Sequence, residues 1–353
     1  MKASNRILSV ITPLLLVSTV LVAGCSGGGS SFHRASSASD TARPASGRVS
    51  TIPGYTEYYR LMRFNALDQI VLCYPTVDPK GEAAVYAVAR DLNGRPVKIT
   101  RTFFGNPETQ KDWTTMNVEY NYYPSTAMLV ERRTYHDPTG APMEVRGAFG
   151  MEVLYKGGQL TMKRLIDING KPIVDKKMVI RSLFREDRPS AMIQEWFFGN
   201  GKQYRGIGTD VPGQPFGELP PDAYFRRFEV DARGEVVREE AWDINKRPIA
   251  YPGGEIVRAY EHDECGMPKL VVYLDEKGRE RPNADGIVRE SMRYDDHGRP
   301  REWQAFGVTG MPHARSEDGA AAMIFRYRDF DGALVGVDLF DVNGEPIPEP
   351  APN

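Results

Sequence analysis

Apolar residues along this chain gather in short runs, and Asp, Asn and Gly cut those runs at even intervals. The stretch Ile256–Pro282 shows the unit. Its run Met267–Leu274 is eight residues long and rich in Leu, Val and Tyr. That length suits a strand and is short for a helix. The run lies between the turns Asp263-Glu264-Cys265-Gly266 and Asp275-Glu276-Lys277-Gly278. In such turns the Asp side chain accepts nearby backbone N–H groups, and Gly supplies the positive φ that closes the bend. The pattern predicts a β-hairpin. Arms of the same length recur at Gln159–Ile166, Glu235–Trp242, Arg299–Phe306 and Ala333–Phe340, each spanning about 26 Å at ~3.3 Å per residue.

A second turn repeats at the outer end of the arms. It reads Asp91-Leu92-Asn93-Gly94-Arg95-Pro96, Asp137-Pro138-Thr139-Gly140-Ala141-Pro142, Asp167-Ile168-Asn169-Gly170-Lys171-Pro172 and Asp341-Val342-Asn343-Gly344-Glu345-Pro346. Weaker copies are Asp243-Ile244-Asn245-Lys246-Arg247-Pro248 and Gly307-Val308-Thr309-Gly310-Met311-Pro312. Proline cannot donate to a ladder, so it marks a strand edge or the start of a connection. The units return at a period of about 30 residues, the mark of a repeat architecture. The expected fold is all-β: an elongated antiparallel sheet, or meander, of hairpin repeats.

Taken in order, residues 1–24 read as a signal peptide, with Lys2 and Arg6 before the apolar Ile7–Val22. Leu21-Val22-Ala23-Gly24-Cys25 resembles a bacterial lipobox, which makes Cys25 the expected site of lipidation, palmitate included, and the mature N-terminus. Ser26 follows, where an Asp commonly retains lipoproteins at the inner membrane of Gram-negative bacteria. The expected address is therefore the outer membrane, facing the periplasm. Residues 25–50 read as a flexible Ser/Gly/Ala tether with a mean span of roughly 25–30 Å. Residues 51–85 are the expected N-terminal cap, 86–346 the repeat domain, and 347–353 a Pro-rich tail. Extra residues interrupt the period within Lys98–Pro124 and at Tyr204–Ala223, and insertions on a rigid scaffold are where binding residues concentrate.

Charge excludes one class of partner. The chain carries −2 overall, and no basic stripe with interleaved aromatics appears, so nucleic acid is not expected. Chemistry is equally sparse. No CxxC or HxxxH pair supports zinc. Asp341-Val342-Asn343-Gly344 begins like a calcium loop but places Gly and the final ligand wrongly. Gly206-Ile207-Gly208 lacks the third Gly and the helix of a dinucleotide site, and no G-x-S-x-G elbow occurs. Neighbouring carboxylates such as Glu239-Glu240 and Asp295-Asp296 point to opposite faces of a strand. The five His residues, His33, His136, His262, His297 and His313, fall in the tether or at turns. No catalytic residue, metal or cofactor is expected. If the sheet runs straight, Cys73 and Cys265 stand tens of Å apart and both remain thiols.

Tyr294-Asp295-Asp296-His297-Gly298-Arg299-Pro300 resembles the core of a YD (RHS-type) repeat, Tyr-Asp-x-x-Gly-Arg-Leu. Asp263–Gly266, Asp231–Gly234 and Asp331-Gly332 are degenerate relatives. The resemblance covers about Tyr86–Pro346 and implies a β-hairpin repeat sheet of the kind found in bacterial secreted and surface proteins. The period here is longer and the tyrosine is often missing, and the resemblance carries over no catalytic residue. The expected role is a non-catalytic binding or scaffold module of the cell envelope, held to the membrane by its N-terminal lipid and facing a protein or glycan partner. Its possible binding surface is Trp196, Trp242, Trp303, Tyr204 and Phe216. Two alternatives are an envelope glycan hydrolase using Asp210, Glu218 and Asp222 of the second insertion, and a surface adhesin.

Overall fold

The computed structural model of the chain describes residues 56–82, 84–103, 114–145, 147–173, 179–188, 190–198, 220, 222–328 and 332–348. Among the described residues there is no α-helix, and 19 strands form one sheet. β1 (Thr56–Phe64) and β2 (Ile70–Pro75) make the first hairpin. β3 (Ala84–Arg90), β4 (Pro96–Phe103), β5 (Thr115–Tyr123), β6 (Met128–His136), β7 (Gly150–Lys156) and β8 (Gln159–Ile166) follow, then β9 (Val179–Arg188), β10 (Ala191–Phe198), β11 (Phe225–Val230) and β12 (Val236–Trp242). The last part holds the short β13 (Pro248–Ile249), β14 (Val257–His262), β15 (Pro268–Leu274), β16 (Arg289–Tyr294), β17 (Pro300–Phe306), β18 (Ala322–Tyr327) and β19 (Leu334–Phe340). All pairings are antiparallel. β1 lies between β2 and β3, and each later arm pairs with the next, β12 taking both β13 and β14. The sheet is an open meander of hairpins with β2 and β19 at its edges, as the even arms predict.

Two kinds of contact alternate along it. Within a hairpin the arms pair over most of their length, as β14 does with β15. Between the hairpins from β11 onward only three residues meet: Arg238–Glu240 with Val257–Ala259, Leu270–Val272 with Arg289–Ser291, and Glu302–Gln304 with Ala322–Ile324. The connection explains the difference. After the Asp turn the chain touches back on the arm it has just left, at Pro248, Glu280 or Pro312. It then makes a second bend, closed by Gly254 N–H to Tyr251 O at 2.8 Å or Gly286 N–H to Asn283 O at 3.0 Å. That excursion occupies the end of the arm, and the next strand docks on what remains.

The sheet does not run straight. Its buried face wraps the first hairpin, whose tip touches strands and turns far along the chain. Tyr155 OH donates to Leu67 O at 3.1 Å, Ala66 N–H to Gly234 O at 3.0 Å, and Arg63 Nε to Cys265 O at 2.9 Å. Arg60 reaches Asp296, 236 residues away, at 2.6 Å. The curl corrects the expectation for the cysteines. Cys73 and Cys265 are not tens of Å apart; both are buried in one cluster with Met267.

Three larger apolar clusters line the wrapped face among the described residues. One joins Leu61 and Met62 of β1 to Val88, Ile99 and Met116. A central one holds Val153, Phe184, Met192, Phe228 and Tyr260, and a third Met292, Trp303, Met323 and Phe325. Charged side chains lie buried between them, including Arg133, Lys163, Arg226 and Glu239.

Candidate binding rim

The Asp turns build a rim. In Asp167–Lys171 the Asp167 Oδ1 accepts Asn169 N–H at 2.9 Å and Lys171 N–H at 2.8 Å. The ring is closed by Asp167 N–H to Lys171 O at 2.8 Å and Gly170 N–H to Asp167 O at 2.9 Å. Asp243, Asp275 and Asp341 do the same with their own third and fifth residues. Backbone donation, chiefly from the fifth residue, holds the carboxyls of Asp167, Asp243, Asp275 and Asp341 below the usual carboxylate range. In the copy that starts with Gly307 the backbone bonds remain without the side-chain acceptor.

The first residue of each turn is partly or fully buried, and the second faces solvent. Ile168 is 57%, Ile244 53%, Val308 69% and Val342 45% exposed, and Met311 adds 65% beside Val308. These turns follow β8, β12, β17 and β19, arms that run in the same direction in the meander, so their tips share one rim. Along the sheet Ile168, Ile244 and Val308 are four strands apart in turn, roughly 20 Å, and Val308 and Val342 two strands, about 10 Å. Pro138 after β6 belongs to the row, and Glu276 after β15 breaks it. On the opposite rim the second positions after β11, β14 and β16 are Ala232, Glu264 and Asp296, while Leu92 after β3 is exposed like its counterparts across the sheet. Single exposed apolar residues are ordinary. In these turns an exposed branched residue recurs at the same position along one edge.

The aromatic surface expected from sequence does not form at Trp303, and this is a correction. Trp303 is 2% exposed in the third core cluster. Its Nε1 donates to Glu290 Oε2 at 2.8 Å and the Arg315 guanidinium lies 4.9 Å from its ring. Trp242 is half-buried and engaged with Glu240 at 3.0 Å and with the Arg227 guanidinium. Trp196 lies on β10 with its side chain outside the described part, and Tyr204, Phe216 and Cys25 lie outside the described residues. Of the proposed hydrolytic carboxylates only Asp222 is described, exposed at the surface. The sequence signal of this rim is the repeated Asp-[Leu/Ile/Val]-Asn-Gly pattern, in which the apolar residue stands between the turn-forming Asp and Gly.

The interior ionisable groups are occupied with one another. Asp68, at φ 63 in the tip of the first hairpin, takes Lys163 Nζ at 2.7 Å and Arg133 Nη1 at 3.1 Å. Burial pushes the Asp68 carboxyl up, but Lys163 and Arg133 outweigh it and hold it below its ordinary value. Glu239 takes Arg226 at 2.7 Å and the Tyr260 hydroxyl at 2.5 Å. Arg63 pairs with Glu235, whose carboxyl burial raises despite that partner. Burial, then the neighbouring Arg63, pushes His262 down to about 4. The donor atoms of Asp295, Asp296 and His297 lie within 4.8 Å of one another, as a metal would need. Arg60 already meets that charge, bonding Asp296 at 2.6 Å and Glu82 at 2.7 Å, while Asp295 Oδ1 closes its own turn. The group reads as the clasp between β1 and the β16–β17 turn.

No protein-family model matches the chain, and no curated protein matches it. Among solved structures it is similar to the Photorhabdus luminescens Tc holotoxin pore at 9% identity and a TM-score of 0.24, over 75% of this chain and 14% of that chain. It is similar to TcdB2-TccC3-TEV at 11% identity and a TM-score of 0.24, again over 75% of this chain and 14% of that one. For TcdB2-TccC3-Cdc42 the values are 11%, 0.19, 83% and 20%. The chain therefore spans 14 to 20% of the length of these structures. Its hairpin repeat stands on its own strand registers and turns.

Proposed function

We propose that this chain is a non-catalytic binding module of the bacterial cell envelope. It is held to the outer membrane, facing the periplasm, by a lipid on Cys25. It engages an envelope protein or glycan through the rim of Ile168, Ile244, Val308 and Val342. The observation that carries the reading is the repetition of one exposed apolar turn position along one edge of a rigid sheet. The occupied interior supports the absence of catalysis, because its buried carboxylates already serve Arg and Lys partners.

The test is in-cell crosslinking from a photoreactive residue at position 311, with and without serine at positions 168, 244, 308 and 342. These residues are exposed, so the variant is expected to melt like the parent while losing its crosslinked partner. A partner recovered equally by both proteins, or none from the parent, overturns the rim. The anchor has a separate test. Palmitate labelling is expected in the parent and absent in Cys25→Ser; a Cys25 found bridged to Cys73 and unlabelled overturns the lipid.

A further inference from the structure

The edge strand β19 repeats half of an interface that the molecule uses inside itself. Three earlier arms that end in an outer turn offer the residues four, three and two places before their last to the next hairpin. These are Arg238–Glu240 ahead of Trp242, Leu270–Val272 ahead of Leu274, and Glu302–Gln304 ahead of Phe306. In β19 the last residue is Phe340, so the matching residues are Gly336, Val337 and Asp338. The rest of the device is also present. Pro346 bridges back to Phe340 as Pro312 does to Phe306, and Ile347 N–H meets Leu339 O at 2.8 Å as His313 N–H meets Ala305 O at 2.9 Å. Among the described strands nothing pairs with β19 beyond β18.

We propose that β19 accepts a strand in trans: an extended segment of a partner protein, added antiparallel at Gly336–Asp338, with an apolar residue at its centre. The chemistry follows from the neighbours. In the internal pairing nearest this edge both central residues are apolar and face the core, Trp303 opposite Met323, whereas the two earlier pairings centre on Glu239 opposite Arg258 and Val271 opposite Glu290. Here the central residue is Val337, which packs into the same cluster as Met323 and Phe325. Beside it Val335 is 55% exposed and Leu334 37% exposed, and residues 334–340 hold no Lys or Pro of the kind that blunts an edge. Asp338 pairs with Arg326 at 2.9 Å, so the incoming residue opposite it is not acidic. A second copy of this chain is a poor occupant. Its own arms of the docking type, β14, β16 and β18, are already paired on both sides. Strand addition of this kind draws affinity from main-chain bonds and specificity from alternate side chains. The inference is independent of the rim, which lies at the strand tips.

The probe is a fluorescein-labelled peptide copying residues 320–328, the arm that fits this kind of half-interface internally. Its anisotropy is followed against the full chain. Saturable binding is expected with a Kd on the order of 100 µM, weakened at least tenfold in Val335→Lys, whose melting stays that of the parent because the position is exposed. No saturation up to about 1 mM, equal binding by a scrambled peptide, or unchanged binding by Val335→Lys overturns the proposal. So does a dimer, seen by light scattering, that Val335→Lys dissociates, because it would assign the edge to a second copy.

Discussion

Lys246 stands at φ 59 in the place that Gly170, Gly278 and Gly344 fill in sister turns. A Cβ in the left-handed region costs roughly 1–2 kcal/mol, partly offset by the lower chain entropy of a non-glycine residue. Lys246→Gly is expected to raise the unfolding free energy by about 1 kcal/mol, read by urea titration. Glycines differ in what else they serve. At Gly94 a methyl group meets nothing within 4 Å, so Gly94→Ala should cost only the φ penalty. At Gly266 it would sit 1.7 Å from Arg63 Nη2, so Gly266→Ala must displace Arg63 from Glu235 and should cost about 3–5 kcal/mol. Two pH windows separate two residue types. Asp275 has its carboxyl lowered in the fold, so its contribution is complete above the ordinary Asp range and is lost as pH falls below about 4. Asp275→Asn keeps the acceptor and should flatten the melting curve in that window. His262 is the reverse charge type. Its folded value of about 4 lies below the ordinary 6.5, so the unfolded chain binds the proton better and stability is lost as pH falls from 6.5 towards 4. His262→Gln should remove that slope alone.

At the scale of elements, the arms and both turn types were legible because each is a local matter. Period-2 runs set the strands, and an Asp three residues before a Gly sets the bend. Asn283 shows how local the turn code is: it accepts Asp285 N–H and Ile287 N–H at 3.0 Å each, as the aspartates do, without charge. The buried charges were not legible. Glu131 and Arg133 on β6 and Lys163 on β8 sit beside other polar residues, Arg132, Thr134 and Arg164, and polar residues on a strand ordinarily face water. They face inward because Asp68 arrives from a hairpin about 65 to 95 positions earlier, a pairing that no window of sequence contains. The same holds for Trp303, whose arm gave no sign that Arg315 and Glu290 would enclose it. Asp68→Asn should therefore cost about 3–5 kcal/mol, by leaving Arg133 and Lys163 short of a counter-charge in a buried site. Chemical denaturation of the variant checks this, and a loss under 1 kcal/mol would mean that water reaches the pair.

For the whole molecule, evenly stacked hairpins suggest stability summed from neighbour to neighbour. The wrapped first hairpin changes that expectation, because β1 and its tip bind the turns after β11, β14 and β16 as well as strands β6 to β8. Deleting residues 56–75 should broaden the single cooperative transition of the parent into separate steps followed by circular dichroism, where a plain stack would lose only the share of one repeat. The arrangement also bears on how the protein comes into being. The hairpin that everything closes around is delivered first, whereas its clasp at Asp296 follows 236 residues behind. Until that late stretch arrives, Arg60, Arg63 and Asp68 wait in water without their distant partners, and a fold so dependent on remote contacts matures slowly. Refolding of the parent is expected to pass through an intermediate with its apolar face exposed, read as transient dye binding before the late contacts close.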